Sequence, residues 1–346
     1  MNFKGVNTSD AWRPSCSLTA LHVRAAMLRA VREFFHQRGY MEVETPCLSR
    51  DIVIDAWLEP METRQSGERW FLQTSPEGFM KRLLAAGAGS IFQISRVFRS
   101  GEVGHRHNPE FTMLEWYGVG STWQQQMELT EWLVRACLKA AAEVTGGENF
   151  GEWPEGAFRQ TTYADAFDTT FGIDVHQAET SELLAAAINR NIPLPDSCAA
   201  SDRDGILNAM LAFAVEPTLG RISPLGSAAP EFLCDYPATQ AALAVTTDTP
   251  PFVARRFELY INGLELCNGY QELTDVEELR RRDRHQNSVR TGSDLSSLPG
   301  ASQLYAAMQF GLPECSGVAL GFDRLVMIAL NASSISDVIP FPADRA

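Results

Sequence analysis

Residues 92–117, FQISRVFRSGEVGHRHNPEFTMLEWY, alternate with a period of two on both sides of a polar, Gly-punctuated loop. This spacing predicts two strands, with successive side chains sorted to opposite faces. One side of the first strand carries Gln93, Ser95, Val97 and Arg99, and one side of the second carries Phe111, Met113, Glu115 and Tyr117. Pairing those sides brings an arginine, an aromatic ring, a carboxylate and a phenol to one concave surface. The planar fork of arginine stays charged and donates in pairs, which suits phosphate, and an open Phe face suits a base. Alternation alone favours a plainer outcome, an antiparallel hairpin with a polar outer face.

The remaining chain supplies a core large enough to support such a surface. Its 346 residues, 45% apolar, suffice for one large domain or two ordinary ones. A formal charge of −14 argues against an extended nucleic-acid surface, because such affinity comes from Lys and Arg displacing counterions. The seven cysteines form no CxxC pair and read as reduced, buried thiols. The N-terminal residues lack the apolar core of a signal peptide and no run is apolar enough to span a bilayer, so a cytoplasmic location and no membrane partner are expected.

In chain order, Leu21, Ala25, Leu28, Val31 and Phe34 recur at helical spacing before Gly39, and GYMEVETPCLS then alternates as a strand ending at Pro46. A strand at Trp70 to Thr74 runs into Ser75, Pro76 and Glu77 ahead of a helix containing Met80, Leu83 and Leu84. Glu77 either complements the positive end of that helix or serves a site. A long helix closes at Gly146 and Gly147. The span from about 150 to 236, with helical patterns at 179–190 and 202–214, is expected to be an insertion within one catalytic domain. Asn262-Gly263 between two alternating runs predicts a two-residue hairpin. Counting outward from it sets Tyr260 opposite Glu265 and Glu258 opposite Cys267, with Glu258 and Glu265 diagonal on one face, roughly 7 to 8 Å apart. That pair is either a solvated acidic face or a magnesium site built from hard oxygen ligands. A charged helix over 275–290 is expected to turn its RRRDRH run to solvent. Finally, SGVALGFDRLVMIALN predicts a buried strand, Gly321, and a helix whose first turn holds Arg324, where the dipole disfavours a cation and an anionic or aromatic partner is expected.

The order FR, short loop, HNPEFTMLEWY resembles motif 2 of the class II aminoacyl-tRNA synthetases in the form of the lysyl branch. The early helix, strand and proline resemble motif 1, and SGVALGFDRL resembles motif 3. One departure stands out: the family's acid two residues after the arginine is here Gly101, followed by Glu102. The resemblance implies an α+β class II catalytic fold, a mixed and mainly antiparallel sheet flanked by helices, and a symmetric homodimer through motif 1. It also implies ATP and Mg2+ as cofactors, with a substrate carboxylate attacking the α-phosphate to give an acyl adenylate.

Carried onto this sequence, the resemblance implies that Arg99 takes the α-phosphate and the substrate carboxylate, and that Arg324 and Phe111 lie on the two faces of adenine. Ser100, Gly101, Glu102, His107, Asn108, Leu266 and Gly321 would contact nucleotide, and Glu258 and Glu265 would hold magnesium. Ser75, Pro76, Glu77, Met113, Glu115, Tyr117, Asn268, Glu272 and Ala319 would line the amino acid, Glu272 with Tyr117 taking a distal ammonium. The motif 1 helix begins near residue 20, which leaves no room for the N-terminal oligonucleotide-binding barrel of bacterial lysyl enzymes. A lysyl core of this length resembles the branch of ligases that transfer (R)-β-lysine to elongation factor P, which implies those two partners and no tRNA. Ser75 and Ala319 stand where lysyl-tRNA synthetases have Ala and Gly, a change in room and hydrogen bonding about the substrate amine. A free-standing lysyl-tRNA synthetase and a non-catalytic regulatory relative are the other two readings.

Overall fold

The computed structural model describes residues 12–147, 156–194, 198–221 and 229–346. The first eleven residues of the polar lead, and residues 150–155 at the start of the expected insertion, lie outside that set. Among the described residues the strands are β1 (Met41–Glu42), β2 (Leu48–Ser49), β3 (Glu62–Gln65), β4 (Glu68–Leu72), β5 (Ile91–Phe98), β6 (Glu110–Val119), β7 (Arg159–Thr162), β8 (Glu231–Pro237), β9 (Val253–Ile261), β10 (Leu264–Gln271) and β11 (Cys315–Gly321). Eight of them form one sheet in the order β1-β5-β6-β11-β10-β9-β8-β7, and β2-β4-β3 form a small second sheet. The outermost pairs of the large sheet, β1 with β5 and β7 with β8, are parallel, and every pair between them is antiparallel.

One face of this sheet is apolar and carries helices α1 (Leu18–His36) and α3 (Trp123–Thr145). Alternation sends Phe92, Leu114, Trp116, Val318 and Leu320 to that side, where they meet Val31, Phe35, Leu133 and Val134. Phe35 stacks on Phe92 with ring centroids 4.7 Å apart. The helix starts are satisfied locally: Ser17 caps α1, and Thr122 with Gln125 forms a reciprocal capping box on α3.

The opposite face is covered only toward its ends. At one end α2 (Glu77–Ala85), α7 (Val276–Gly292) and α8 (Ser302–Gly311) contribute Met80, Leu279 and Leu304, packed with Ile91 and Tyr117. At the other, α4 (Tyr163–Phe171), α5 (Thr180–Asn189) and α6 (Arg203–Met210) pack on Leu233, Tyr236, Ala254 and Tyr260. The polar row between these covers is the candidate site. β7 and β8, from the expected insertion, extend the large sheet itself.

Two expectations change. The strand expected up to Pro46 is reduced to the two residues of β1, because the chain leaves the sheet edge after the Val43 amide, which donates to the Phe92 carbonyl. The RRRDRH run is not wholly solvated: Asp283 is buried and accepts from the Tyr305 hydroxyl, and Arg282 donates to the carbonyls of Ala242 and Ala244.

The last helix, α9 (Phe322–Leu330), is fixed to β6 by a buried charge cluster. Asp323 Oδ1 accepts from Arg24 Nη1 at 2.5 Å, Asp323 Oδ2 accepts from the Thr112 amide at 2.7 Å, and Arg24 Nη2 reaches Thr112 Oγ1 at 2.6 Å. This cluster sets the first turn of α9, and with it Arg324, beside the strand that carries Phe111. Removing one partner of a buried ion pair strands the other charge, at a cost of about 3–5 kcal/mol. Asp323→Ala is therefore expected to lower the unfolding free energy by about that amount in urea titrations. A loss under about 1 kcal/mol would mean that the cluster does not hold the helix.

Candidate active site

The sheet register assembles the site as rows of side chains. Gln93, Glu115, Ala319, Asn268 and Glu258 are successive cross-strand partners on β5, β6, β11, β10 and β9. Ile91, Tyr117, Gly317, Tyr270 and Arg256 form the next row, and Ser95, Met113 and Gly321 meet on the other side of the first. The alternation of β5 and β6 thus brings together the surface expected from it.

Glu115 is buried and accepts hydrogen bonds from Ser75 Oγ at 2.8 Å and Tyr117 Oη at 2.7 Å. Burial, reinforced by the Glu77 carboxylate, pushes its carboxyl up to about 8. Glu272, at the end of β10, is also buried, and desolvation raises it to about 7 although the nearby Lys81 ammonium pulls the other way. A Cβ on Gly317 would lie 2.4 Å from Glu272 Oε1 and equally close to the Tyr117 ring, so glycine is the residue that leaves Glu272 its place.

Sequence reasoning missed Lys81. Its ammonium lies 2.5 Å from Glu77 Oε1 and 2.6 Å from Glu272 Oε2, and the side chain is 3% exposed. Burial alone would lower its pKa, but Glu272 and Glu77 outweigh that and raise it. Glu77 and Glu272, both expected along the amino acid, therefore already share one ammonium of the protein. The available signal was a lysine four residues after Glu77 on a helix face otherwise made of Met80 and Leu84. Glu77 and Glu272 share the Lys81 ammonium while Glu115 receives hydroxyl donors, so the three carboxyl groups outnumber the cation paired with them.

At the β9/β10 end the expected register is corrected. Tyr260 does face Glu265, but the pairing shifts between Glu265 and Cys267, so Glu258 faces Asn268 and not Cys267. The extra residue turns Leu266 and Cys267 into the apolar core and Asn268 toward the site. Both oxygens of Glu258 are occupied: Oε2 accepts from Tyr236 and Tyr260 at 2.6 Å each, and Oε1 accepts from Arg256 at 2.5 Å and Asn268 at 3.1 Å. Glu265 is raised by burial and by the Glu258 charge. A further carboxylate went unnoticed in the sequence: Glu216 receives the Tyr260 hydroxyl at 3.2 Å and is raised to about 7 by burial, Glu258 and Glu265. It follows directly on a π-turn, Leu211–Val215, inside the segment of lowest motif content.

The nucleotide-facing candidates lie at the open end. Arg99 sits 5.1 Å over the Phe111 ring centroid, and its Nη1 is 3.7 Å from Glu102 Oε1. Gly101 has φ +79, a left-handed conformation that projects no side chain, so Glu102 is the acid beside the arginine. The Ser100 amide donates to the Glu59 carbonyl at 2.7 Å, and the Glu59 carboxylate pairs with the fully buried Arg290. Arg324 finds its anionic partner in Glu265, at 2.8 Å to the carbonyl and 3.3 Å to the carboxylate, and its other nitrogen is 2.9 Å from His107 Nε2. Burial and the Arg324 charge hold the His107 pKa below the usual range, so its ring is neutral at pH 7. Asn108 differs from expectation: its amide donates to the Glu110 carbonyl at 2.6 Å and accepts from the Ala343 amide at 3.0 Å, a backbone-bracing role. The Leu266 side chain is in the core, which leaves only its backbone for nucleotide. Pro76 and Gly321 are the N-caps of α2 and α9.

The family description "tRNA synthetases class II (D, K and N)" matches residues 9–345. The chain belongs to the class II tRNA synthetase family. Among curated proteins it is 40% identical over 348 residues to the elongation factor P–(R)-β-lysine ligase of Pectobacterium carotovorum subsp. carotovorum (strain PC1), across 99% of this chain and 100% of that one. The ligase of the same name from Pectobacterium atrosepticum is 41% identical, and that of Salmonella paratyphi B 40% identical, with the same coverage.

Class II chemistry needs no protein nucleophile, because the substrate carboxylate attacks. The protein's tasks in such chemistry are positioning and charge neutralisation; the candidate site has a cationic end at Arg99 and Arg324 and an acidic pocket at Glu115 and Glu272. The acidic end costs stability in the free protein. Glu115 keeps its proton up to about pH 8 when folded, against 4.5 in the ordinary carboxyl. The folded chain thus binds more protons than the unfolded one between those values, and stability falls as pH rises through them. Glu115→Gln removes that penalty, so its melting temperature relative to wild type is expected to shift upward by a few degrees between about pH 5 and pH 8. A difference that does not vary with pH would show that Glu115 is ionised throughout.

Proposed function

We propose that this chain activates (R)-β-lysine with ATP and transfers it to a lysine ε-amino group of elongation factor P. The observation that carries this reading is where the two departures from the lysyl-tRNA synthetase pattern fall. Ser75 Oγ is hydrogen-bonded to Glu115 Oε2, and Ala319 is the cross-strand partner of Glu115. Both changes bear on the same carboxylate, one by adding a hydroxyl that orients it, the other by adding a methyl on the floor beside it. An amino group shifted by one carbon requires such a local change, and the ligase names of the full-length relatives agree with it.

In this reading Arg99 holds the α-phosphate and the substrate carboxylate. The carboxylate oxygen attacks the α-phosphorus, pyrophosphate leaves, and the lysine amine of the protein partner then attacks the acyl carbon and releases AMP. Arg324 and Phe111 hold the adenine. Glu115 and Glu272, with Tyr117 and Asn268 around them, hold the ammonium groups, and the Lys81 ammonium keeps Glu77 and Glu272 in place.

Mg2+ fits the donors at the other carboxylates, which are hard oxygens. Glu265, whose side chain is partly exposed, has a carboxyl raised by desolvation and by the Glu258 charge, which a cation would relieve. Glu258 would join it by exchanging one of its four hydrogen bonds. When bound, the ion supplies charge neutralisation at the nucleotide phosphates. The same reading gives the chain a cytoplasmic location and a symmetric dimer through α1 and β1; among the described residues no helix is long and apolar enough to cross a membrane.

Incubation with ATP, (R)-β-lysine and elongation factor P is expected to add one β-lysyl group to the factor by mass spectrometry. No mass change, with efficient α-lysine charging of tRNA instead, would make the chain a lysyl-tRNA synthetase; no pyrophosphate exchange with either amino acid would make it a non-catalytic relative. Ala319→Gly is expected to shift selectivity toward α-lysine by roughly ten-fold or more, read as the ratio of kcat/KM values for the two amino acids. An unchanged ratio would remove Ala319 from the recognition of the amine.

A further inference from the structure

Three polar atoms that alternate along β5 and its end, Gln93 Oε1, Ser95 Oγ and Arg99 Nε, are buried without a hydrogen-bond partner. Buried polar groups are nearly always paired, and an acceptor left bare carries the full cost of its desolvation. A row of them on one face of one strand marks where a ligand lies. Arg99 already has a role at the phosphate. Gln93, 4% exposed and facing Glu115 across the strand pair, has none.

We propose that Gln93 is an amino-acid-binding residue, its Oε1 accepting a hydrogen bond from an ammonium of the bound diamino acid beside Glu115. The proposal rests on the reading above, since it takes a diamino acid as the ligand. An ammonium is the donor this position calls for. It carries several N–H groups, Glu115 has both oxygens engaged by single hydroxyl donors, and the Lys81 ammonium is already taken up by Glu77 and Glu272. A neutral acceptor adds a hydrogen bond here without adding a further carboxylate to Glu77, Glu115 and Glu272, and Glu115 is already raised by burial first and by the neighbouring carboxylates after it. Gln93 thus senses the position of the amine, while the carboxylates supply the attraction.

The test is Gln93→Met, which keeps the length of the side chain and removes its polar atoms, assayed by pyrophosphate exchange with ATP and either β-lysine or α-lysine. The KM for the preferred amino acid is expected to rise about ten-fold or more, as for loss of a hydrogen bond to a charged group, while the KM for ATP stays within about two-fold. The melting temperature of the ligand-free variant is expected to equal or exceed that of wild type, because a bare buried oxygen has been removed. Gln93→Glu retains an acceptor at the same place, so its amino-acid KM is expected to stay closer to wild type than that of Gln93→Met. An unchanged amino-acid KM in Gln93→Met overturns the proposal, as does a lower melting temperature with both KM values rising together, which is the behaviour of a structural residue. Wild-type protein that exchanges with neither amino acid removes the functional reading and this proposal with it, whereas active wild type with an indifferent Gln93→Met removes this proposal alone.

Discussion

Carboxylates placed under helices, away from water, require compensating positive charge. In this chain Glu77, Glu115 and Glu272 share the space between the sheet and α2 with one ammonium, that of Lys81. Burial first, and then the Glu77 and Glu272 charges, raise Glu115, which holds its proton to about 8. A ligand with two ammonium groups would remove the deficit and let the carboxyl ionise, so part of the ligand's affinity is a penalty the fold already carries. The other acidic group is treated differently: Glu258 receives Arg256, Asn268 and two tyrosine hydroxyls, and is neutralised by the protein itself.

The backbone ladders make these placements possible. Because side chains alternate strictly along a strand, one register error would send Glu115, Ala319 and Asn268 into the apolar layer. The antiparallel pairings of β5, β6, β11, β10 and β9 keep them in one row, and the irregularity after Glu265 rotates Asn268 into that row while Cys267 fills the core. The Arg24, Asp323 and Thr112 cluster then sets α9 against β6, and Arg290 with Glu59 braces the Ser100 backbone next to Arg99. Arg324 and Arg99, the two arginines at the open end of the site, are thus held by charges buried behind them.

Much of this was legible in the sequence because period-two patterning carries the face of each residue directly. The faces of β5 and β6, the Asn262-Gly263 turn with positive φ at both residues, and the strand-to-helix step at Gly321 follow from local rules. The remaining features depend on long-range placement. No local signal marks an extra residue at Leu266, so plain counting from the turn put Cys267 where Asn268 belongs. Lys81 reads as one cation in an amphipathic helix until Glu272, far along the chain, comes within 2.6 Å. Glu216 comes from the expected insertion, just past a helical pattern that does not show that it leads to the Tyr260 hydroxyl. Asn108 shows the reverse, a motif residue whose amide is engaged by the backbone of Glu110 and Ala343. In each case the deciding contact joins residues from separate elements, which composition and spacing do not encode.

In the proposed reaction one face of the sheet binds an aminoacyl adenylate with its phosphate end at Arg99 and its ammonium end over Glu115 and Glu272. A crystal structure with a non-hydrolysable β-lysyl adenylate analogue tests it most directly. The phosphate mimic is expected within hydrogen-bond distance of the Arg99 guanidinium, and an ammonium nitrogen within hydrogen-bond distance of Glu115. An analogue bound with its amines in solvent, or with its phosphate mimic away from Arg99, would contradict it.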